Sequence, residues 1–163
     1  MRNFIIALMM AFAGMAQTAY AVSMGDFFGN LMGRSGSQGR GITVDETLVK
    51  MSTQMNKKMP MVIDKETRLD RVSAEPGHHF IYHYTLTGMR SADINTGEFP
   101  KAIKPQLKTR LCDSAEMRNF LKNGVTISYL YRSSDGHPVG GIKFAPDECD
   151  AKALASGQTP PQQ

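Results

Sequence analysis

Residues 111–149 read LCDSAEMRNFLKNGVTISYLYRSSDGHPVGGIKFAPDEC: a short helix, a β-hairpin and a cysteine near each end. Asp113 with Glu116 three residues later has the spacing of a helix start. Met117, Phe120 and Leu121 make one apolar face, and Gly124 supplies a left-handed stop, so a helix is expected over 114–122. The strands predicted over 125–132 and 138–144 flank Ser133-Ser134-Asp135-Gly136, where Asp-Gly suits a tight turn. Val125, Ile127, Tyr129 and Tyr131 alternate with Thr126, Ser128, Leu130 and Arg132, so the first set faces a core. Gly140 and Gly141 point to a bulge or an edge strand.

Upstream, a second unit of the same pattern runs from Thr43 to Leu86. Thr43 and Glu46 have capping-box spacing, and Val44, Leu48, Met51 and Met55 fall on one helical face until Pro60 ends the helix. Thioethers bind copper(I), but at this spacing a methionine stripe reads as core. The chain then changes period. Strands are expected over 67–74 and 78–86, joined through Glu75-Pro76-Gly77 as a type II turn. Phe80, Tyr82, Tyr84 and Leu86 take the core face. His79 and His83 share the other face but lie about 13 Å apart along a strand, too far to hold one ion. His78 points away from both, and nothing in the sequence requires His137 to join them, so no metal site is expected.

Between these units, Pro100 suits a helix start and Pro105 an interruption, which predicts a short helical stretch. Ile103, Leu107 and Leu111 face one way and Lys101, Lys104 and Lys108 another. That lysine row is a candidate anion contact. With no arginine cluster or interleaved aromatic beside it, a solvated face is the plainer reading, and no nucleic-acid partner is expected.

The first residues have a different purpose. Arg2 precedes FIIALMMAFAGMA, an apolar run of 13 residues, and Ala19-Tyr20-Ala21 offers small residues before a cut, the pattern of a signal peptide over 1–21. A membrane-spanning anchor needs roughly 20 apolar residues, so no stable span is expected after cleavage near Ala21. Export to the periplasm or the medium makes a Cys112–Cys149 disulfide the default, contributing roughly 3 to 4 kcal/mol in the chain-entropy model. The expected mature chain carries 18 Lys and Arg, 19 less Arg2, against 15 Asp and Glu, a mild excess that by itself implies no nucleic acid. Residues 22–41 hold six glycines and read as a flexible arm. Phe27, Phe28, Leu31 and Met32 on it form an apolar cluster, a candidate docking site for a partner, with a plain spacer as the alternative. Residues 150–163 read as a polar, Pro-rich tail.

Two units, each a helix with one apolar face plus a hairpin with one aromatic face, define the expected architecture. It is a single α+β domain over 42–149, a four-stranded antiparallel sheet with helices on one face. MPMVIDKETRLD at 59–70, MRNFLKNGVTISYLYRSSDG at 117–136 and the cysteine pair also resemble small exported bacterial proteins with no assigned function. The resemblance implies a periplasmic or secreted setting and supplies no catalytic residues.

An enzyme needs nucleophile, base and oxyanion site within reach. Ser128, Ser133, Ser134, His79, His83 and His137 offer side chains, but G-x-S-x-G, H-E-x-x-H and Gly-rich phosphate loops are missing. Asp64, Glu66 and Asp70 read as charged surface, and no cofactor is implied. The expected role is a non-catalytic binding or accessory module of the bacterial envelope that contacts another envelope or secreted protein. The alternatives are a secreted effector or inhibitor and a small periplasmic hydrolase.

Overall fold

The computed structural model describes residues 43–150; the leader, the arm with Phe27, Phe28, Leu31 and Met32, and the tail from 151 lie outside them. Thr43 opens the first helix, α1 (Val44–Asn56), through a complete capping box. The Glu46 amide donates to Thr43 Oγ1 at 3.2 Å and the Thr43 amide to Glu46 Oε2 at 2.9 Å, so two amides that a helix start leaves unpaired are satisfied. Leu48 and Met51 on its apolar face are buried.

Three strands follow: β1 (Met61–Val62), β2 (Thr67–Glu75) and β3 (His79–Leu86). The turn between β2 and β3 holds Gly77 at φ 85° and His78 at φ 59°. Asp45, in the first turn of α1, accepts from both amides, at 3.3 Å from Gly77 and 2.7 Å from His78. A carboxylate at the positive end of a helix thus stabilises a left-handed backbone in the neighbouring hairpin.

The chain then forms a 3-10 turn (Ser91–Asp93), two helices, α2 (Phe99–Asp113) and α3 (Ala115–Lys122), and a last hairpin of β4 (Thr126–Ser133) and β5 (Pro138–Phe144). The sheet has five strands in the order β1-β2-β3-β4-β5. This corrects the expected four-stranded antiparallel sheet of two repeated units. The added strand is β1, which folds back on Arg68 and Leu69. The second difference is that β3 and β4 are parallel, while the other pairs are antiparallel. A parallel pair needs a long crossover, and residues 87–125 provide it, with α2 and α3 returning the chain to the end where β3 began.

Two local expectations change with it. α2 is a continuous helix of 15 residues that passes through Pro105. The carbonyl that loses its donor there belongs to Lys101, whose exposed side chain marks a turn open to water. Ser114, not Asp113, caps α3, its hydroxyl accepting from the Met117 amide at 3.3 Å. Asp113 ends α2 instead, and the Arg118 guanidinium donates to the carbonyls of Cys112 and Asp113.

The core lies between the helices and one face of the sheet, where Phe80, Tyr82, Ile127 and Tyr129 pack with Leu48, Met51, Leu111 and Phe120. α2 approaches β5 closely at Gly140, where a Cβ would stand 2.5 Å from the Pro100 ring. The disulfide joins Cys112, near the end of α2, to Cys149, just beyond β5.

β1 protects only the first residues of the β2 edge. Past it, Asn56 of α1 stands in for a strand: its Nδ2 donates to the Val72 carbonyl and its Oδ1 accepts from the Val72 amide, both at 2.8 Å. Asn56→Ala is expected to leave both groups unpaired beside a buried side chain, at a cost of about 2 to 3 kcal/mol. The urea midpoint checks this, and an unchanged value would show that water replaces the side chain.

Candidate functional site: the open face of the sheet

Strand alternation sends one set of side chains to the helices and the other to the far face. Cross-strand register orders the far face into rows. Val62, Arg68, Thr85 and Arg132 lie side by side, then Arg71, His83, Leu130 and Gly141, then Ser73, Ile81, Ser128 and Lys143, and at the far end Glu75, His79 and Thr126. Arg71, Arg132 and Lys143 are exposed. So are two apolar side chains, Leu130 at 39% and Val62 at 75%.

Arg71 reaches this face through a β-bulge. The register shifts between Leu69 and Arg71, so Leu69 and Val72, three apart, both enter the core. Strict alternation would have pointed Arg71 inward beside Leu69. The bulged residue, Asp70, accepts from Arg68 Nε at 2.6 Å and from the Thr85 hydroxyl.

The two histidines sit in matching hydrogen bonds. His83 Nε2 lies 2.8 Å from Ser73 Oγ, and His79 Nε2 2.8 Å from Ser128 Oγ. His79 Nδ1 is also 3.4 Å from Glu75 Oε2. His83 is held below the usual imidazole range, first by burial and then by Arg71 and Arg132, with Glu75 and Asp70 opposing. Both arginines therefore act on the same ring from neighbouring strands.

Glu75, His79 and Ser128 have the connectivity of a hydrolytic relay: carboxylate to Nδ1, Nε2 to hydroxyl. Ser128 is buried in the middle of β4, a strand paired on both sides. Backbone amides around it are engaged in ladders, whereas acyl transfer needs free donors aimed at a developing oxyanion.

The helix-side face is different in kind. Parallel register sets Tyr82 beside Tyr129 and Tyr84 beside Tyr131, and each pair stacks, at 5.4 and 5.3 Å between centroids. Burial pushes all four phenols up, that of Tyr84 to about 12. Tyr82 is buried and its hydroxyl finds no hydrogen-bond partner among the described residues.

The lysines of the predicted anion row are each engaged on α2. Lys101 pairs with Glu98 at 3.1 Å, Lys104 lies 5.9 Å over the Phe144 ring, and Lys108 pairs with Glu148 at 2.8 Å. Asp135, in the β4–β5 turn, accepts from the Ser133 hydroxyl and from both the amide and the hydroxyl of Ser91. Those bonds hold its carboxyl well below the usual range and staple the 3-10 turn to the hairpin. Among the described residues no three His, Cys, Asp or Glu side chains gather as a metal centre. No helix among them is long and apolar enough to cross a membrane.

Sequence reasoning passed over Arg71, Leu130 and Arg132. Alternation against Tyr129 and Tyr131 placed Leu130 and Arg132 together on the outer face, a readable signal. Arg71 had none, because the bulge at Asp70 reverses its parity.

These features define a small, disulfide-closed α+β domain with its helices on one face and an arginine-bearing sheet surface on the other. The chain belongs to the family described as a domain of unknown function, DUF8479, which matches residues 43–138. No curated protein matches it in sequence. In structure it is similar to a candidate secreted protein from Pseudomonas aeruginosa, with TM-score 0.55 and 19% identity over 70% of this chain and 99% of that one. It is also similar to EpsS, the pilotin of the type 2 secretion system of Vibrio vulnificus, with TM-score 0.52 and 14% identity over 66% and 92%. At such identities the likeness is one of fold.

Two predictions follow from the tyrosines. Tyr82→Phe is expected to raise stability by about 1 kcal/mol, because it removes a buried hydroxyl with no partner; a lower denaturation midpoint would reveal an unseen bond. A phenol whose folded pKa is raised stabilises fully below the unfolded value near 10, and the contribution is lost as pH climbs through the folded value. Alkaline titration is expected to give the phenolate absorbance of these four tyrosines only as near-ultraviolet dichroism collapses.

Proposed function

We propose that this chain is a non-catalytic, exported module of the bacterial envelope that acts by contact with a protein partner. Its fold carries this reading, because the likeness spans nearly the whole of two proteins, one a candidate secreted protein and the other a secretion-system pilotin. An accessory protein of an envelope machine needs a rigid body that survives outside the cytoplasm and a surface left free for docking. The disulfide supplies the first, and the open sheet face the second. The leader over 1–21 would direct export and be removed near Ala21.

A second reading, a small hydrolase, draws on the Glu75–His79–Ser128 relay. Engagement of the amides beside Ser128 in β-ladders weighs against it.

The test is fractionation of cells expressing the tagged full chain, with intact mass and thiol labelling of each fraction, followed by p-nitrophenyl acetate turnover by the purified protein. We expect an oxidised product shortened at its N-terminus in the periplasm or medium, with no turnover that Ser128→Ala removes. A full-length, reduced product confined to the cytoplasm overturns the envelope role. Turnover lost in Ser128→Ala establishes the hydrolase instead.

A further inference from the structure

We propose that the open face of the sheet docks an acidic segment of the protein partner, with Arg71 and Arg132 as anchors and Leu130 as the apolar contact between them. This deepens, and rests on, the protein-contact reading.

The placement is set by register. Arg71 pairs with His83, His83 with Leu130, and Arg132 lies two residues beyond Leu130 on β4. With strands about 4.8 Å apart and about 6.6 Å between alternate residues, the three side chains form one contiguous patch. Register sets Arg71 directly across from His83 and Arg132 across from Thr85, two residues further along the same strand. Each guanidinium presents a planar fork suited to a carboxylate.

Neither arginine has an ion pair among the described residues, in contrast to Arg68, which Asp70 neutralises. Opposite charges on facing strands stabilise a sheet and like charges do not, and neither arginine faces an acidic residue. Here Arg71 meets His83 and Arg132 meets Thr85. Leu130, exposed beside them, adds apolar surface that favours contact over solvation.

The distribution of charge favours a protein over a lipid surface. Arg68, Arg71 and Arg132 lie toward one end of the face, where Asp70 is taken up by Arg68. Glu75 lies at the other end, paired with His79 and one row from Lys143. An anionic bilayer is laterally uniform and would repel Glu75, whereas a protein segment can set acidic groups at one end only.

The test uses the exported, disulfide-intact chain and the peptide acetyl-Glu-Leu-Glu-Leu-Glu-amide, with its lysine counterpart and phosphatidylglycerol vesicles as controls. Amide shifts are expected to centre on Arg71, His83, Leu130 and Arg132, with the His83 pKa raised on binding. Arg71→Glu and Arg132→Glu are each expected to weaken binding about tenfold, the loss of a charge-assisted contact. Leu130→Ser should weaken it as well. Equal urea midpoints confirm that the variants fold. Shifts elsewhere, indifference to charge reversal, or binding to vesicles but not to peptide overturns the proposal.

A photocrosslinking residue at Leu130, and separately at Val49 on the exposed side of α1, separates this inference from the reading beneath it. Crosslinks to a protein in the envelope from Leu130 alone, lost in Arg71→Glu, support both. Crosslinks from Val49 alone keep the accessory role and remove the sheet face as its site. Crosslinks from neither position remove the sheet face as the docking site.

Discussion

Eight parallel register pairs, from His79 with Thr126 to Leu86 with Ser133, join the two halves of the sheet. Because the pairing is parallel, the chain must travel the length of the strands between β3 and β4. α2 and α3 are the vehicle of that return, and their apolar sides cover the face that carries the tyrosines. The same register brings Tyr82 against Tyr129 and Tyr84 against Tyr131. The opposite face carries arginine, histidine, serine and threonine, with Val62 and Leu130 exposed among them. One pairing therefore sets the topology, the aromatic stack and the chemistry of the exposed surface.

Local chemistry made most of the elements readable. The Thr43–Glu46 capping box, the Asp-Gly turn and the alternation through Tyr129 and Tyr131 act over a few residues, and each appears where the sequence places it. Pairing of the distant cysteines followed from the expected compartment, and the structure contains that bond. What was missed involves partners far apart in the chain. The parallel join depends on where a 39-residue crossover, 87–125, delivers β4. Residues Met61 and Val62 become a strand only because Leu69 and Arg68 are there to receive them.

The surface was harder to read than the core for a related reason. Apolar residues declare themselves by period, but an exposed arginine on a strand looks the same whether it is solvated or presented. The bulge at Asp70 also shifts the parity of β2, so no regular pattern announces Arg71. The lysine row of α2, by contrast, was conspicuous in sequence, and its members are occupied by Glu98, Phe144 and Glu148. Helical spacing finds lysines easily and says nothing of what lies opposite them.

The disulfide also decides how the molecule bears load. Cys149 lies five residues past the end of β5 and is bonded to Cys112 in the last turn of α2. Tension on the chain beyond residue 149 therefore passes through sulfur into a helix and bypasses the edge strand. An edge strand pulled from its free end would unzip one hydrogen bond at a time, each yielding separately. Here β5 is shielded from that motion, and force from the C-terminal side meets the packed junction of α2 and α3 as a unit. A protein that works tethered between moving parts would keep its sheet intact under such a pull.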